Sequence, residues 1–336
     1  MSGPGRKLSV LGAGSCGTSL ALLLARNEHY VQLWGRNSIA MAAMIRNRQN
    51  ERYLPGHEFP DTVAPTADLA EALRGADLLV VAVPSGGFRA TLEEALAHAA
   101  KPIDLVWATK GFDPHSSELL HEVARELSPA RTRMAVLSGP MFAREVAAGL
   151  PAAVTVASPD SGFANELAEV FRNPRFRVYT SSDIVGVQAA GAVKNVFAIA
   201  AGIADGLEFG ANTRAALITR GLAELLRLGV GLGGRQETFI GLSGLGDLVL
   251  TCTDDQSRNR RFGLALAKGM SVDDAVASVG QVVEGVETTR QVMRAGEKTG
   301  VELPIAEQVN EVVFHGKAPN EAVNALLSRP AGRENM

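Results

Sequence analysis

Apolar and polar positions along the chain change rhythm once. Up to about residue 186, short apolar runs alternate with longer amphipathic stretches. Runs at 8–11, 30–34, 77–84, 103–109 and 134–137 have the length and make-up of strands, and helical patterns follow them, the first at 18–27 and the second at 38–47. The run DLLVVAVP at 77–84 is continuously apolar, as in strands buried on both faces of a parallel sheet. Residues 50–63, NERYLPGHEFPDTV, keep no period and read as irregular, ahead of a helix at 68–74. Two more strand-like runs, 152–157 and 175–179, flank a helix at 162–172. The alternation then stops. Residues 187–327 are helical in pattern throughout, broken by glycine loops at 229–234, 241–246 and 280–285. The expected architecture is an α/β unit with a mostly parallel sheet over 1–186, followed by an all-α unit over 187–336.

One stretch, 184–204, is apolar all round and about long enough to cross a bilayer. It contains Gln188, Lys194 and Asn195, and a central lysine is expensive in hydrocarbon. A buried core helix is the expected outcome, with no integral membrane association. At 336 residues the chain exceeds what one core usually holds, which agrees with two domains. The formal charge of −3 supplies no excess of cations to meet a nucleic-acid backbone, so that partner class is not expected. The two cysteines, Cys16 and Cys252, have neither a paired nor a metal-ligand spacing, and a reduced cytoplasmic protein without a bound metal fits them. The N-terminal residues show no secretory apolar core, and a polar tail at 329–336 is expected to fray.

The first strand runs directly into Gly12-Ala-Gly14-Ser-Cys-Gly17 and a helix. That context turns a weak GxGxxG match into a dinucleotide-binding signal of Rossmann type. Gly12 permits the tight turn, Gly14 admits the cofactor pyrophosphate to the backbone, and Gly17 lets helix and strand pack closely. The second strand ends at Gly35-Arg36-Asn37, where an NAD-selective site places an acid. Arg36 suits a 2′-phosphate instead, so NADP(H) is the expected cofactor, with NAD(H) as a tolerated second left open. A plain surface arginine is the alternative. The later strands end in Thr109-Lys110-Gly111 and Ser138-Gly139-Pro140, turns that face the ligand in open parallel sheets, and Lys110 is therefore a site candidate.

In the helical half, Lys194 sits among alanines and valines with Asn195 beside it. Burial disfavours the charged form of a lysine, which brings it toward proton transfer. A structural lysine snorkelling to the surface is the competing account. From Gly244 to Gly263 the chain reads GLGDLVLTCTDDQSRNRRFG. Its run LGDLVLTCT is too punctuated by glycine and threonine for a surface helix, whereas RNRRFGLALAKG reads as a helix that opens with cationic groups. Unpaired N–H groups at a helix start favour an anion, and arginine adds a planar donor fork that matches phosphate. A solvated basic helix start would look the same on these residues alone.

GAGSCGTSLA, ATKGF around Lys110, SGPMFA from Ser138, AAGAVKNVFAIAAGI around Lys194, GLSGLGDLVLTCTDDQSRNRRFG and GQVVEGVET from Gly280 together carry a resemblance. Over nearly its full length the chain resembles the bacterial-type NAD(P)-dependent glycerol-3-phosphate dehydrogenases. The resemblance implies a Rossmann-like N-terminal domain and an all-helical C-terminal domain with the active site in the cleft between them. It implies a small-molecule substrate, dihydroxyacetone phosphate or sn-glycerol 3-phosphate, and a product used for phospholipid synthesis. It makes Lys194 the proton acceptor and Lys110 a contact for substrate and cofactor. Gly139 and Met141 would touch substrate, and Asp247, Ser257, Arg258 and Asn259 would complete its pocket. Ser15, Cys16, Arg36, Ala143, Val282 and Glu284 would line the cofactor, with Arg258 near it as well.

Two positions depart from the family pattern. An aromatic is usual where Cys16 stands, and Ser or Thr where Met141 stands, so any contact from Met141 must come from its backbone. Two competing functions remain. A dehydrogenase of carboxylated hydroxy acids, of the 3-hydroxyisobutyrate type, would have no evident use for the SRNRR cluster. A non-catalytic nucleotide sensor would not need Lys110, Lys194 and Asp247 together. A homodimer is left open.

Overall fold

The computed structural model describes residues 5–330, so most of the tail expected to fray lies outside the described residues. They divide into two compact units, one running through Asp113 and resuming over Glu118–Ile184, the other comprising Pro114–Ser117 and the residues from Val185 onward.

Ten strands are described: β1 (Lys7–Leu11), β2 (Tyr30–Trp34), β3 (Gln49–Asn50), β4 (Leu54–Glu58), β5 (Val63–Thr66), β6 (Leu78–Val81), β7 (Asp104–Trp107), β8 (Met134–Ser138), β9 (Ala152–Ala157) and β10 (Phe176–Ser181). Eight of them form one sheet in the order β10-β9-β8-β7-β6-β1-β2-β5, and β3 and β4 form a separate hairpin. Every pairing in the large sheet is parallel except β8 with β9. The strand order reverses between β1 and β6, and in such sheets ligands bind beyond the carboxyl ends of the strands at that point.

Helices α1 (Ser15–Arg26), α2 (Ser38–Asn47), α3 (Leu69–Leu73), α4 (Phe88–His98), α5 (Leu120–Leu127), α6 (Ala143–Ala147) and α7 (Ser161–Phe171) belong to this unit. Strand side chains alternate between the two faces. Val10, Leu33, Leu78, Val80 and Val106 join one apolar cluster with Leu20 and Leu23 of α1 and Phe163, Leu167 and Phe171 of α7. On the other face Trp107 meets Phe88 of α4 edge-on, with ring centroids 5.9 Å apart. Each such side chain taken from water contributes roughly 1.5–3 kcal/mol.

The segment expected to be irregular holds β4 and the adjoining ends of β3 and β5. Pro55 and Gly56 mask β4, and Pro65 masks β5, because neither residue type favours a strand interior. β5 tolerates its proline because it is the last strand of the sheet, paired on one side only. Helix α1 also begins earlier than the expected position 18, at Ser15, so the glycine turn and the first helical turn are continuous.

The second unit is helical: α8 (Ile184–Gly206), α9 (Gly210–Gly231), α10 (Gln236–Phe239), α11 (Asp247–Thr253), α12 (Arg258–Ala267), α13 (Val272–Val279), α14 (Glu284–Thr299), α15 (Pro304–Phe314) and α16 (Pro319–Leu327). A π-helical turn, Leu242–Gly246, leads into α11. The run expected not to make a surface helix is a helix after all. Asp247, Leu248, Thr251 and Cys252 turn inward, and burial of that face outweighs the modest helix propensity of threonine.

Helix α8 is a core helix, with Val187, Ala189, Ala190, Ala192, Val193, Val196, Phe197, Ala198 and Ile199 at or below 1% exposure. It meets α12 with backbones in contact, since a Cβ on Gly202 would overlap the Arg260 carbonyl and one on Gly263 would overlap the Ile199 carbonyl.

Helix α15 starts without a cap from its own N-cap residue, because Leu303 offers no side-chain acceptor. Glu224 of α9 takes that role from across the unit, accepting from Ile305 N at 2.8 Å and Ala306 N at 3.3 Å. Burial pushes the Glu224 carboxyl up to about 7, against those hydrogen bonds and the charges of Arg227 and Arg329. A folded-state pKa above the unfolded one gives a contribution that is complete below the unfolded value and lost as pH rises through the folded one. Relative to Glu224→Gln, the wild type should therefore lose about 1–3 kcal/mol of stability between about pH 5 and pH 8. Urea denaturation at the two pH values measures it. Parallel behaviour of the two proteins would show that Glu224 is not the titrating group.

Candidate active site

The first unit forms a dinucleotide cradle from the turn after β1. Gly12 adopts φ +117°, and a Cβ there would stand 2.6 Å from the Ala82 carbonyl oxygen, so glycine is required twice over. A Cβ on Gly17 would overlap the Gly12 carbonyl. Gly14 differs from both, because nothing lies within 4 Å of its added Cβ. A side chain there would fill open space above the turn, which is the space a pyrophosphate needs. No side chain caps α1 at Gly14, and the following residues, Ser15 and Cys16, are partly exposed at the helix start. An anion at that terminus meets N–H donors and the positive end of the helix dipole. These residues fit a dinucleotide.

Arg36 lies exposed directly after β2, beside β1 in the sheet, and Asn37 caps α2 by accepting from Ala40 N at 3.0 Å. After β7, Lys110 is partly buried, and its Nζ donates to the Gly139 carbonyl at 3.4 Å, which brings these two predicted residues together. Gly139 holds φ +143° against Val154, whose Cα would be 3.0 Å from an added Cβ. Cys16, Met141 and Ala143 pack in part against the apolar core. For Met141 that leaves the backbone as its polar contact group.

In the second unit Lys194 is buried at 5% exposure, and its Nζ lies 2.5 Å from Asp247 Oδ1 and 2.6 Å from Thr251 Oγ1. The Thr251 hydroxyl in turn donates a hydrogen bond to the Asp247 carbonyl at 2.6 Å. Thr251 was absent from the expected set. Its signal is the i to i+4 spacing from Asp247, which puts both on one face once the segment is known to be a helix. Cys252 shares this surrounding, and burial pushes its thiol up to about 12, so it contributes no competing charge at neutral pH. Asn195, at 3% exposure, has an Nδ2 donor without a hydrogen-bond partner among the described residues.

At the start of α12 the expected residues separate by task. Ser257 is the cap, accepting from Arg260 N at 3.2 Å. Arg258, partly exposed, donates to the Val282 carbonyl at 3.0 Å. Asn259 accepts from Gly285 N at 2.9 Å, tying α12 to the start of α14 beside Glu284. A Cβ on Gly285 would lie 2.7 Å from Asn259 Oδ1 and 3.0 Å from the Asn195 carbonyl, so Asn195, Asn259 and Gly285 converge. Arg260 is buried in ion pairs with Asp205, at 2.6 Å, and Asp255. It is a structural member of the cluster.

The comparisons with known proteins agree with this chemistry. The family description "NAD-dependent glycerol-3-phosphate dehydrogenase N-terminus" matches residues 7–164, and its C-terminus counterpart matches residues 183–324. A glycerol-3-phosphate dehydrogenase (NAD(P)+) from Nitrosococcus oceani is 55% identical over 320 residues, covering 95% of this chain and 93% of that one. The protein of the same name from Thioalkalivibrio sulfidiphilus is 56% identical, covering 96% and 97%. A crystal structure of glycerol-3-phosphate dehydrogenase from Coxiella burnetii superposes with a TM-score of 0.94 at 46% identity, covering 97% of this chain and 99% of that one.

The Lys194–Asp247 pair makes a sharp energetic prediction. Removing one partner of a buried ion pair leaves an uncompensated charge, at a cost of about 3–5 kcal/mol, whereas replacing both by apolar groups of like volume is often neutral. Asp247→Asn should therefore unfold at markedly lower urea concentration. Lys194→Met with Asp247→Leu should recover most of that loss. If the double variant is no better than the single one, the pair is not the source of the cost.

Proposed function

Because the chain belongs to the NAD-dependent glycerol-3-phosphate dehydrogenases, and so interconverts dihydroxyacetone phosphate and sn-glycerol 3-phosphate, we propose that Lys194 is the group that moves the proton at the substrate C2 oxygen. The observation that carries this reading is the buried ammonium of Lys194 fixed between Asp247 and Thr251. A nicotinamide cofactor, when bound, supplies the hydride that adds to C2 of the ketone or removes it from the alcohol. As the C2 oxygen gains charge during reduction, the lysine N–H stabilises it and then transfers a proton; in the reverse direction Lys194 accepts that proton. Asp247 opposes the desolvation of the ammonium and fixes its direction, so little reorganisation is needed during reaction.

Arg258 and the opening turn of α12 hold the substrate phosphate in this reading, with Asn259 anchoring that turn to α14. Phosphate binding then orients the ketone for attack, so energy from a remote group lowers the barrier at C2. The unpartnered Asn195 Nδ2 is a buried donor for a bound polar group. Within the first unit Lys110 and Gly139 are polar contacts for a bound cofactor, and the turn Gly12–Gly17 takes its pyrophosphate in this reading. Val282 accepts from Arg258 through its own carbonyl, and Glu284 precedes the Gly285 N–H that Asn259 holds.

The 2′-phosphate of NADP(H) falls to Arg36, and NADP(H) is the favoured cofactor on that ground. Arg36 is exposed, so its attraction is partly screened by solvent and salt, and NAD(H) remains usable. Cys16 and Cys252, neither of them in a disulfide, support a cytoplasmic protein, with its product feeding phospholipid synthesis.

Lys194→Ala tests the central role. General acid–base catalysis is worth about a hundred- to ten-thousandfold, so turnover of dihydroxyacetone phosphate should fall by that range while NADPH affinity stays within a few-fold. Stopped-flow reduction at saturating cofactor with a separate binding titration measures both, and near-normal turnover would falsify the assignment.

Cofactor choice has its own test. Arg36→Asp sets a like charge against the 2′-phosphate, so NADPH should weaken by more than about tenfold, or ~1.4 kcal/mol, and NADH much less. Equal losses for the two cofactors would move the discrimination elsewhere.

A further inference from the structure

Asn50 is a fully buried amide outside every group assigned so far, at 0% exposure on the two-residue strand β3. Two of its three hydrogen bonds reach back 37 and 32 residues, to the glycine turn and the helix that follows it. Nδ2 donates to the Ala13 carbonyl at 3.0 Å and to Thr18 Oγ1 at 2.8 Å, and Oδ1 accepts from Tyr53 N at 3.1 Å. Ala13 is the residue between Gly12 and Gly14, and Thr18, also at 0% exposure, lies in the first turns of α1. One side chain thus holds the turn and the helix that follows it.

We propose that Asn50 is a positioning residue for the cofactor pyrophosphate, a role that rests on the reading of the Gly12–Gly17 turn as the pyrophosphate site. The turn cannot hold itself. Gly12 and Gly14 give a backbone with few steric restraints, and glycine loses more conformational freedom on ordering than any other residue. The Ala13 carbonyl must be paired, and Asn50 pairs it from a rigid buried position, which sets the orientation of the peptides on either side of it. The second N–H of the same amide registers α1 against that carbonyl through Thr18. Preorganised donors bind an anion without an ordering cost at the moment of binding, so slack in this turn appears as lost cofactor affinity. Asn50 also follows α2, which opens beside Arg36, so the hairpin β3–β4 links the turn to the segment that carries the 2′ end of the site.

The test measures full-length protein by NADPH and NADH fluorescence and by steady-state kinetics. Asn50→Ala should raise the dissociation constants of NADPH and NADH alike, by about tenfold, while turnover at saturating cofactor and the KM of dihydroxyacetone phosphate stay within about twofold. ADP-ribose, which carries the pyrophosphate, should weaken equally, and adenosine 2′-phosphate, which lacks it, should bind as to wild type. Thr18→Val and Asn50→Asp keep side-chain volume and remove part of the same network, so they should show the same split in smaller measure if Asn50→Ala does not fold. Wild-type cofactor affinity in all foldable variants, or an equal loss for adenosine 2′-phosphate, overturns the proposal.

Gly14→Val separates this outcome from failure of the underlying reading. Its side chain enters open space, so the protein should fold with the cofactor excluded. If Gly14→Val binds NADPH normally, the turn is not the pyrophosphate site. If it blocks binding while Asn50 variants bind normally, only the role of Asn50 fails.

Discussion

A lysine ammonium buried in an apolar helix is the constraint around which the second unit is built. Taking such a charge from water costs several kcal/mol unless a partner meets it. Helix α8 supplies none nearby, since the positions within a turn of Lys194 are alanine, glycine, valine, phenylalanine and the uncharged Asn195. The counter-charge must arrive from elsewhere in the chain, and it comes from Asp247 at the first position of α11. To deliver it, the preceding residues make a π-helical turn so close to α10 that a Cβ on Gly244 would overlap the backbone of Phe239. Thr251, one turn further along α11, satisfies a second N–H of the same ammonium. The glycines at 241–246 thus answer a need set by a charge some fifty residues upstream.

The same logic governs how α12 reaches its position. Gly202 and Gly263 let α8 and α12 touch backbone to backbone, a separation that any side chain would prevent. Asp205, near the end of α8, then ion-pairs with Arg260 of α12 and with Arg214 of α9. Three helices are fixed at one carboxylate. Arg258 and Asn259 are held relative to Lys194 by packing and charge together, with Asn259 closing the arrangement on Gly285.

How much of this was legible beforehand depended on the range of the interaction involved. The strand, glycine turn and helix at the N-terminus are encoded within about twenty consecutive residues, so Gly12, Gly14 and Gly17 could be given separate tasks from sequence. The exclusion of Lys194 from a membrane helix was also local, because a charge in the middle of an apolar run needs no partner to be recognised as costly. The strands β3, β4 and β5 were not legible. Their residues include Pro55, Gly56 and Pro65, and only their place at an edge or in a small hairpin makes those residues tolerable. Thr251 and Asn50 were missed for a related reason. Threonine and asparagine carry no distinguishing pattern, and both act on groups brought near by folding.

The basic cluster Arg258-Asn-Arg-Arg261 shows where composition stops and geometry begins. As a sequence it presents three like cations at one helix start, all equally suited to an anion. Helical spacing rotates successive side chains by about a hundred degrees, so adjacent arginines cannot share one direction. Arg260 turns toward α8 and is consumed by Asp205 and Asp255, whereas Arg258 stays partly exposed and bonded to a backbone carbonyl. A carbonyl is a neutral acceptor, and a phosphate dianion offers the same guanidinium a stronger, charge-assisted bond. Arg258 can exchange the weaker acceptor for the stronger one at little cost, and Arg260 cannot leave its carboxylates without exposing buried charge. The division of labour between two identical side chains two positions apart is therefore set by their partners.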